Sequence, residues 1–181
     1  FPFLNFSSSM KVLDIGCGNA RFTKEIKNAK FVLGIDLSQN AIKLAREHET
    51  DRMKFKVCSI DDFRAGKRFD VIYMIEVIEH LHNVAENIRK VADLLRPNGK
   101  VVIFTPNRKN LIQRIREQTH TKFFQITREY LEPGHVNYFT PSGLKKLLEH
   151  NQLKVVRIVE FPPIWKEHML VIGEKVVRRY H

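Results

Sequence analysis

Apolar positions along this chain follow two rhythms. Short runs of consecutive apolar residues alternate with stretches in which they recur every three or four positions. The runs are Val12-Leu13 with Ile15, then Phe31–Leu37, Phe69–Ile75 and Lys100–Thr105, with Phe55, Val57 and Ile60 alternating between the second and third. Each is strand-sized, and together they predict five strands. Between them, Asn19 is placed to cap a helix through Arg21–Ile26. Ser38 is placed to cap a second, with a stripe of Ala41, Ile42, Leu44 and Ala45. Asn83 opens a third, with Val84, Ile88, Val91, Leu94 and Leu95 on one face, and Pro97-Asn98-Gly99 ends it in a turn.

Strand and helix thus alternate five times. The fold class this predicts is α/β, a doubly wound, mostly parallel sheet with right-handed crossovers. Beyond Pro106 the rhythm changes. Pro141 begins a helix through Leu144, Leu147 and Leu148, and Leu153–Phe161 and Met169–Ile172 read as two strands joined as a hairpin. With 181 residues and no repeat or low-complexity tract, the chain is read as a single domain over residues 1–181. Residues 108–140 are expected to form a substrate-side insertion or lid.

A parallel sheet of this kind binds ligands beyond the carboxyl ends of its strands. The segments gathered there are Asp14–Gly18, Asp36, Ile60–Asp62 and Met74–Glu76. Gly16 and Gly18 let a ligand approach the backbone, because no Cβ intrudes, and Asp36 lies 22 positions after Asp14. An acid about 20 residues beyond such a loop is placed to accept hydrogen bonds from ribose hydroxyls. A dinucleotide fingerprint would need glycine at position 21, where this chain has Arg21.

The stretches VLDIGCGNA, GIDLS, CSIDDF, FDVIYMIEVIEHL, LLRPNGKVVIFTPN and GHVNYFTPSGLKKLL occur in this order and spacing. In them the chain resembles class I S-adenosylmethionine-dependent methyltransferases over residues 10–173, and it is similar to ubiquinone-pathway O-methyltransferases. The resemblance implies a Rossmann-like sheet of seven strands with the last antiparallel, in agreement with the terminal hairpin. It also implies roles. Asp14, Gly16, Cys17 and Gly18 surround the methionine part of S-adenosyl-L-methionine, Asp36 holds the ribose, and Leu37 packs on adenine. Ile60 and Asp61, or Ser59, meet the adenine edge, and the Met74 carbonyl receives the methionine ammonium. Family loops often carry glycine where this chain has Ala20, which is expected to start a helix and leave cofactor binding intact.

The implied reaction moves a methyl group to a small-molecule acceptor, with an oxygen nucleophile expected. A hydroxyl nucleophile gains from a base, and His80, His82 and His135 are the candidates, since histidine titrates near neutral pH. His135 is preferred because GHVNYFT follows the fifth strand and can fold over the cofactor mouth. Glu76, Glu79 and His80 form ExxEH, which, with His135 as a distant fourth ligand, resembles the divalent-ion site of small-RNA 3′-terminal 2′-O-methyltransferases and of some ubiquinone-pathway O-methyltransferases. The segment is also widespread in relatives without an ion, so no metal is expected. The rival readings are such an RNA enzyme and a non-catalytic cofactor-binding module.

The net charge of +11 is uneven. Residues 108–132 carry Arg108, Lys109, Arg114, Arg116, Lys122 and Arg128, with Phe123, Phe124 and Tyr130 among them. That mixture suits an anionic acceptor with a flat or apolar body. RNA is not favoured, because the charges form no arginine-rich run and no recognised RNA module. No apolar run approaches the ~18 residues of a membrane span. FPFLNFSSS at the start has no basic n-region, so no signal peptide is expected. Two cysteines, Cys17 and Cys58, form no disulfide framework, which sets a reducing, cytoplasmic location as the expectation.

Overall fold

A computed structural model describes residues 7–66, 68–108, 134–161 and 167–176. The strands are β1 (Lys11–Ile15), β2 (Phe31–Asp36), β3 (Met53–Val57), β4 (Phe69–Ile75), β5 (Leu95–Pro106), β6 (Leu153–Phe161) and β7 (His168–Lys175). The helices are α1 (Gln39–Ala45), α2 (Val84–Leu94) and α3 (Pro141–His150). All seven strands form one sheet in the order β3-β2-β1-β4-β5-β7-β6. The pairs from β3 to β5 are parallel, and β7 runs antiparallel to both β5 and β6. This is the expected doubly wound sheet with its terminal hairpin.

Side-chain alternation builds two cores. On one face Leu13, Ile15, Ile35, Ile72 and Met74 pack under α2 and α3. On the other, Val12, Val32, Phe55, Val71 and Tyr73 pack with Ile42 and Ala45 of α1. The Ser38 hydroxyl accepts the Ala41 N–H, as its position predicts; the Thr140 hydroxyl likewise accepts the Gly143 N–H, whereas Asn83 precedes α2 with no side-chain cap bond. Leu44, expected in the buried stripe of α1, is 50% exposed, and only Ile42 and Ala45 face the core.

Three expectations need correction. The helix expected from Asn19 through Ile26 is a single 3₁₀ turn, Thr23–Glu25. Gly18 and Ala20 both take positive φ, +53° and +66°, which stops a right-handed helix from starting at Asn19. Ala20 is therefore a left-handed loop residue and does not begin a helix. Ile60 lies outside β3, because the Ser59 hydroxyl accepts the Asp62 N–H and turns the chain there. Pro97-Asn98-Gly99 is a loop inside β5: pairing with β4 jumps from Phe69–Leu95 to Val71–Lys100, with Asn98 at φ +61°.

Most of the expected insertion, residues 109–133, lies outside the described residues. Its two ends meet: the Arg108 N–H donates to the Phe139 carbonyl at 2.8 Å, beside the Asn107–Phe139 bridge. The segment therefore leaves and rejoins the fold at the carboxyl end of β5. No helix among the described residues is long and apolar enough to cross a membrane.

Candidate active site

Parallel strand order reverses between β1 and β4, and the crevice outside their carboxyl ends is the favoured ligand position of such sheets. The chain leaves β1 through Gly16, Cys17 and Gly18. The N–H groups of Gly16 and Cys17 both donate to the Ile35 carbonyl, at 2.8 and 3.1 Å, which ties the loop to β2. Gly16 has φ +70°, and a Cβ there would lie 2.3 Å from Val77 Cγ2. Glycine at this position is thus favoured by conformation and by the close approach of Val77.

Asp36 ends β2 and holds the loop. One carboxylate oxygen accepts the Gly18 N–H at 2.9 Å, and the other accepts the Ser38 N–H at 2.8 Å. A carboxylate offers about four lone-pair sites, so capacity for ribose hydroxyls remains. Beside it opens a cleft of about 250 Å³. Gly16, Asp36, Leu37, Ser59 and Ile60 line it. Leu37 is 73% exposed, an apolar shelf at the mouth.

Other expected cofactor residues lie elsewhere. Asp14 is buried under the loop and accepts a hydrogen bond from the Thr23 hydroxyl at 2.5 Å. Burial pushes its carboxyl up to about 7; the Thr23 hydrogen bond opposes this and the Asp36 charge adds to it. Cys17 packs in the core, and burial raises its thiol well above the usual range, so it is no nucleophile. Met74 is buried in β4 between Ile15 and Ile103. Asp61 is an exposed turn residue whose carbonyl receives Lys90 Nζ at 2.6 Å. Cys58, Val77 and Leu81, not singled out in the sequence, complete the cleft wall. Each sits just beyond the end of β3 or β4, and that position was the signal available.

The far wall is formed by Glu76, Val77, His80 and Leu81 of EVIEHL. Glu79 is 1% exposed; one carboxylate oxygen accepts from Thr105 Oγ1 at 3.0 Å, and the other is buried with no hydrogen bond among the described residues. The Glu79 carbonyl accepts the N–H groups of Val136 and Asn137, both at 3.0 Å, and the Leu81 carbonyl accepts the Asn137 side-chain amide. These bonds seat Gly134–Thr140 on the turn Ile78–His80. His80 Nδ1 lies 2.9 Å from the Gly134 carbonyl, and the His80 and His135 rings meet edge to face at 4.7 Å. Ligand-capable atoms of Glu79, His80 and His135 all lie within 4.8 Å of one another. Glu76 is not one of that trio, but its carboxylate interacts directly with that of Glu79. Its carboxylate lies 3.7 Å from His168 Nε2, and burial together with Glu79 pushes its carboxyl up to about 8. His82 is exposed and does not line the cleft.

Residues 2–158 match the methyltransferase domain family. The chain belongs to that family. Ubiquinone biosynthesis O-methyltransferase of Bradyrhizobium diazoefficiens is 31% identical over 109 residues, 58% of this chain and 43% of the relative. The enzyme of that name from Bartonella bacilliformis is 27% identical over 166 residues, 82% of this chain and 62% of the relative. The chain thus spans less than two thirds of these relatives' length. Among solved structures, an S-adenosylmethionine-dependent methyltransferase from Mesorhizobium loti superposes with a TM-score of 0.77 at 18% identity, covering 95% of this chain and 94% of that one. Magnesium protoporphyrin IX methyltransferase from Synechocystis, solved with bound S-adenosylhomocysteine, gives a TM-score of 0.70 at 16% identity, covering 92% and 74%. At these identities the likeness is one of fold, and it is the fold of this methyltransferase domain.

Proposed function

We propose that this chain is an S-adenosylmethionine-dependent methyltransferase that methylates an oxygen of a small-molecule acceptor. The observation that carries this reading is the Asp36 carboxylate, which braces the glycine loop at the mouth of a cleft walled by Leu37 and Ile60. Family membership and relatives named as O-methyltransferases support it. In this reading Asp36 takes the ribose hydroxyls, Leu37 and Ile60 clasp adenine, and Gly16 and Gly18 admit the methionine portion. The strand end at Met74 receives its ammonium. Asp14 and Cys17 act from beneath by fixing the loop.

The sulfonium methyl is already activated, so the protein's task is alignment of nucleophile, methyl and sulfur. An acceptor oxygen bonds to the methyl carbon as its bond to sulfur breaks, giving the methyl ether and S-adenosylhomocysteine. His135 takes the acceptor proton. The basic 108–140 segment, entering and leaving beside β5, serves as the acceptor-side lid and suits an anionic acceptor. The two free cysteines agree with a reducing, cytoplasmic setting.

The convergence of Glu79, His80 and His135 favours a second reading of the acceptor side. Their two imidazoles and one carboxylate, with a buried Glu79 oxygen left over, fit a divalent cation. Such an ion, when bound, supplies Lewis-acid activation of the acceptor hydroxyl. In that case His135 is a ligand, and the acceptor oxygen needs no histidine base.

One assay tests both readings. Isotopically labelled S-adenosylmethionine is incubated with phenols, catechols and a short RNA, with and without EDTA, and products are read by mass spectrometry. O-methylation of a small hydroxyl compound supports the proposal. Label on nitrogen or RNA alone, or no turnover with bound cofactor, overturns it. Loss with EDTA, restored by a divalent ion and absent in Glu79→Gln, establishes the metal reading.

A further inference from the structure

Among its described residues, the β3–β4 crossover forms no helix of the kind that normally covers a doubly wound sheet. The connection is residues 58–68, at the short end for a parallel crossover, which usually takes about a dozen residues or more. Ser59 and Asp62 spend part of this stretch on a turn, and Ile60 and Phe63 are the large side chains it drives into the core. The sheet face over β2 and β3 is left half open. Phe31 and Leu33 on β2 are only partly buried, whereas Leu13 and Ile72, on the same face under α2, are fully enclosed.

The space is a groove of about 710 Å³, against about 250 Å³ for the cofactor cleft. Its floor is Phe31, Leu33, Phe63 and Phe69. Its cations are Lys11, Lys30, Lys56 and Arg64, and none of the described lining residues is acidic. Among the described residues, no salt bridge engages Lys30, Lys56 or Arg64. Lys11, Phe31 and Phe69 begin their strands, so the groove opens toward the strand starts, away from the glycine loop.

We propose that this groove binds a single anionic amphiphile, a carboxylate or phosphate head on an apolar body. The volume falls in the range of small-molecule sites, roughly 300–1,000 Å³, which combine an apolar lining with a few placed polar groups. The one-signed rim selects the head by charge. Single-stranded nucleic acid fits poorly, since base stacking along a strand needs several exposed rings, and with Phe63 and Phe69 3% and 4% exposed only Phe31 among the described lining rings is half-buried. A flat bilayer fits poorly too, because the apolar surface is the floor of a concavity and does not protrude.

Calorimetry with dodecanoate held below its micellar range tests this, with dodecylammonium and acetate as controls. Vesicles of phosphatidylglycerol and phosphatidylcholine form a separate arm. Saturable one-to-one binding of dodecanoate is expected, at least tenfold tighter than dodecylammonium and with no heat from acetate. Lys30→Glu with Lys56→Glu should weaken dodecanoate at least tenfold. Both side chains are exposed, so melting temperature and S-adenosylhomocysteine affinity should stay unchanged, which separates this site from the cofactor cleft. Equal binding of the cationic amphiphile, indifference to the charge reversals, a response to vesicles alone, or no saturable binding would each overturn the proposal.

Discussion

Gly16→Ala separates the two demands that the loop places on this position. The first is conformational. At φ +70° an L-residue costs about 1–2 kcal/mol, of which roughly 0.4–1 kcal/mol is returned through a stiffer unfolded chain. The second is steric. The added methyl would lie 2.3 Å from Val77 Cγ2, closer than carbon atoms approach, and Val77 is held between the loop and the core. Overpacking of this kind costs about 1–3 kcal/mol. The sum is about 2–4 kcal/mol by urea unfolding. Gly18→Ala has the same conformational demand at φ +53° but no atom within 4 Å, so it should cost only about 1 kcal/mol. The decisive arm is Gly16→Ala in a Val77→Ala background. With Cγ2 gone, the cost should fall to about 1 kcal/mol, a coupling of about 1–3 kcal/mol between the two sites. Equal cost in both backgrounds would show that Val77 does not limit the loop. A Gly16 variant as mild as the Gly18 variant would refute the close packing itself.

Two further predictions concern the same loop. Ala20→Gly should leave stability within about 1 kcal/mol, because relief of left-handed strain is offset by loss of a fully buried methyl worth about 0.8 kcal/mol; a larger change by urea titration would contradict the assigned φ. Asp14, held near 7 when folded against roughly 3.9 unfolded, binds its proton more tightly in the native state. It therefore favours folding below pH 4, and that contribution is lost as pH rises from 4 to 7, on the order of 2–4 kcal/mol in all. The stability gap between wild type and Asp14→Asn should shift against wild type across that window, and parallel urea-versus-pH curves would show that Asp14 does not titrate there.

The fold was readable because its central strands, β1, β4 and the second half of β5, are buried on both faces. FDVIYMI and KVVIFT are near-continuous apolar runs, and such runs have few other homes. The hydroxyl cap at Ser38 was equally legible. What misled was the stretch after the glycine loop. Asn19-Ala20-Arg21 carries acceptable helix residues, yet the conformation is decided by positive φ at Gly18 and Ala20 and by Thr23 reaching Asp14, none of it a local propensity. Within the site, Asp36 was found from spacing, but its second task was not. Bonding to the N–H groups of both Gly18 and Ser38 joins residues far apart in sequence, and only the folded register of β1 and β2 brings them together. The meeting of His135 with Glu79 and His80 likewise depends on Asn137 and Val136 docking on one carbonyl, across more than fifty positions of chain.

The account's central claim is that Asp36 holds the ribose of S-adenosylmethionine while bracing the glycine loop. Calorimetric titration of S-adenosylhomocysteine into wild type and Asp36→Ala, at a temperature where both are folded, tests it most directly. Wild type should bind one equivalent, with NAD far weaker. The variant should lose about 1–3 kcal/mol of binding energy, and it should also melt at a lower temperature without ligand, because the Gly18 and Ser38 N–H groups lose their acceptor. An unchanged dissociation constant in Asp36→Ala, or NAD binding as tight as S-adenosylhomocysteine, would contradict the claim.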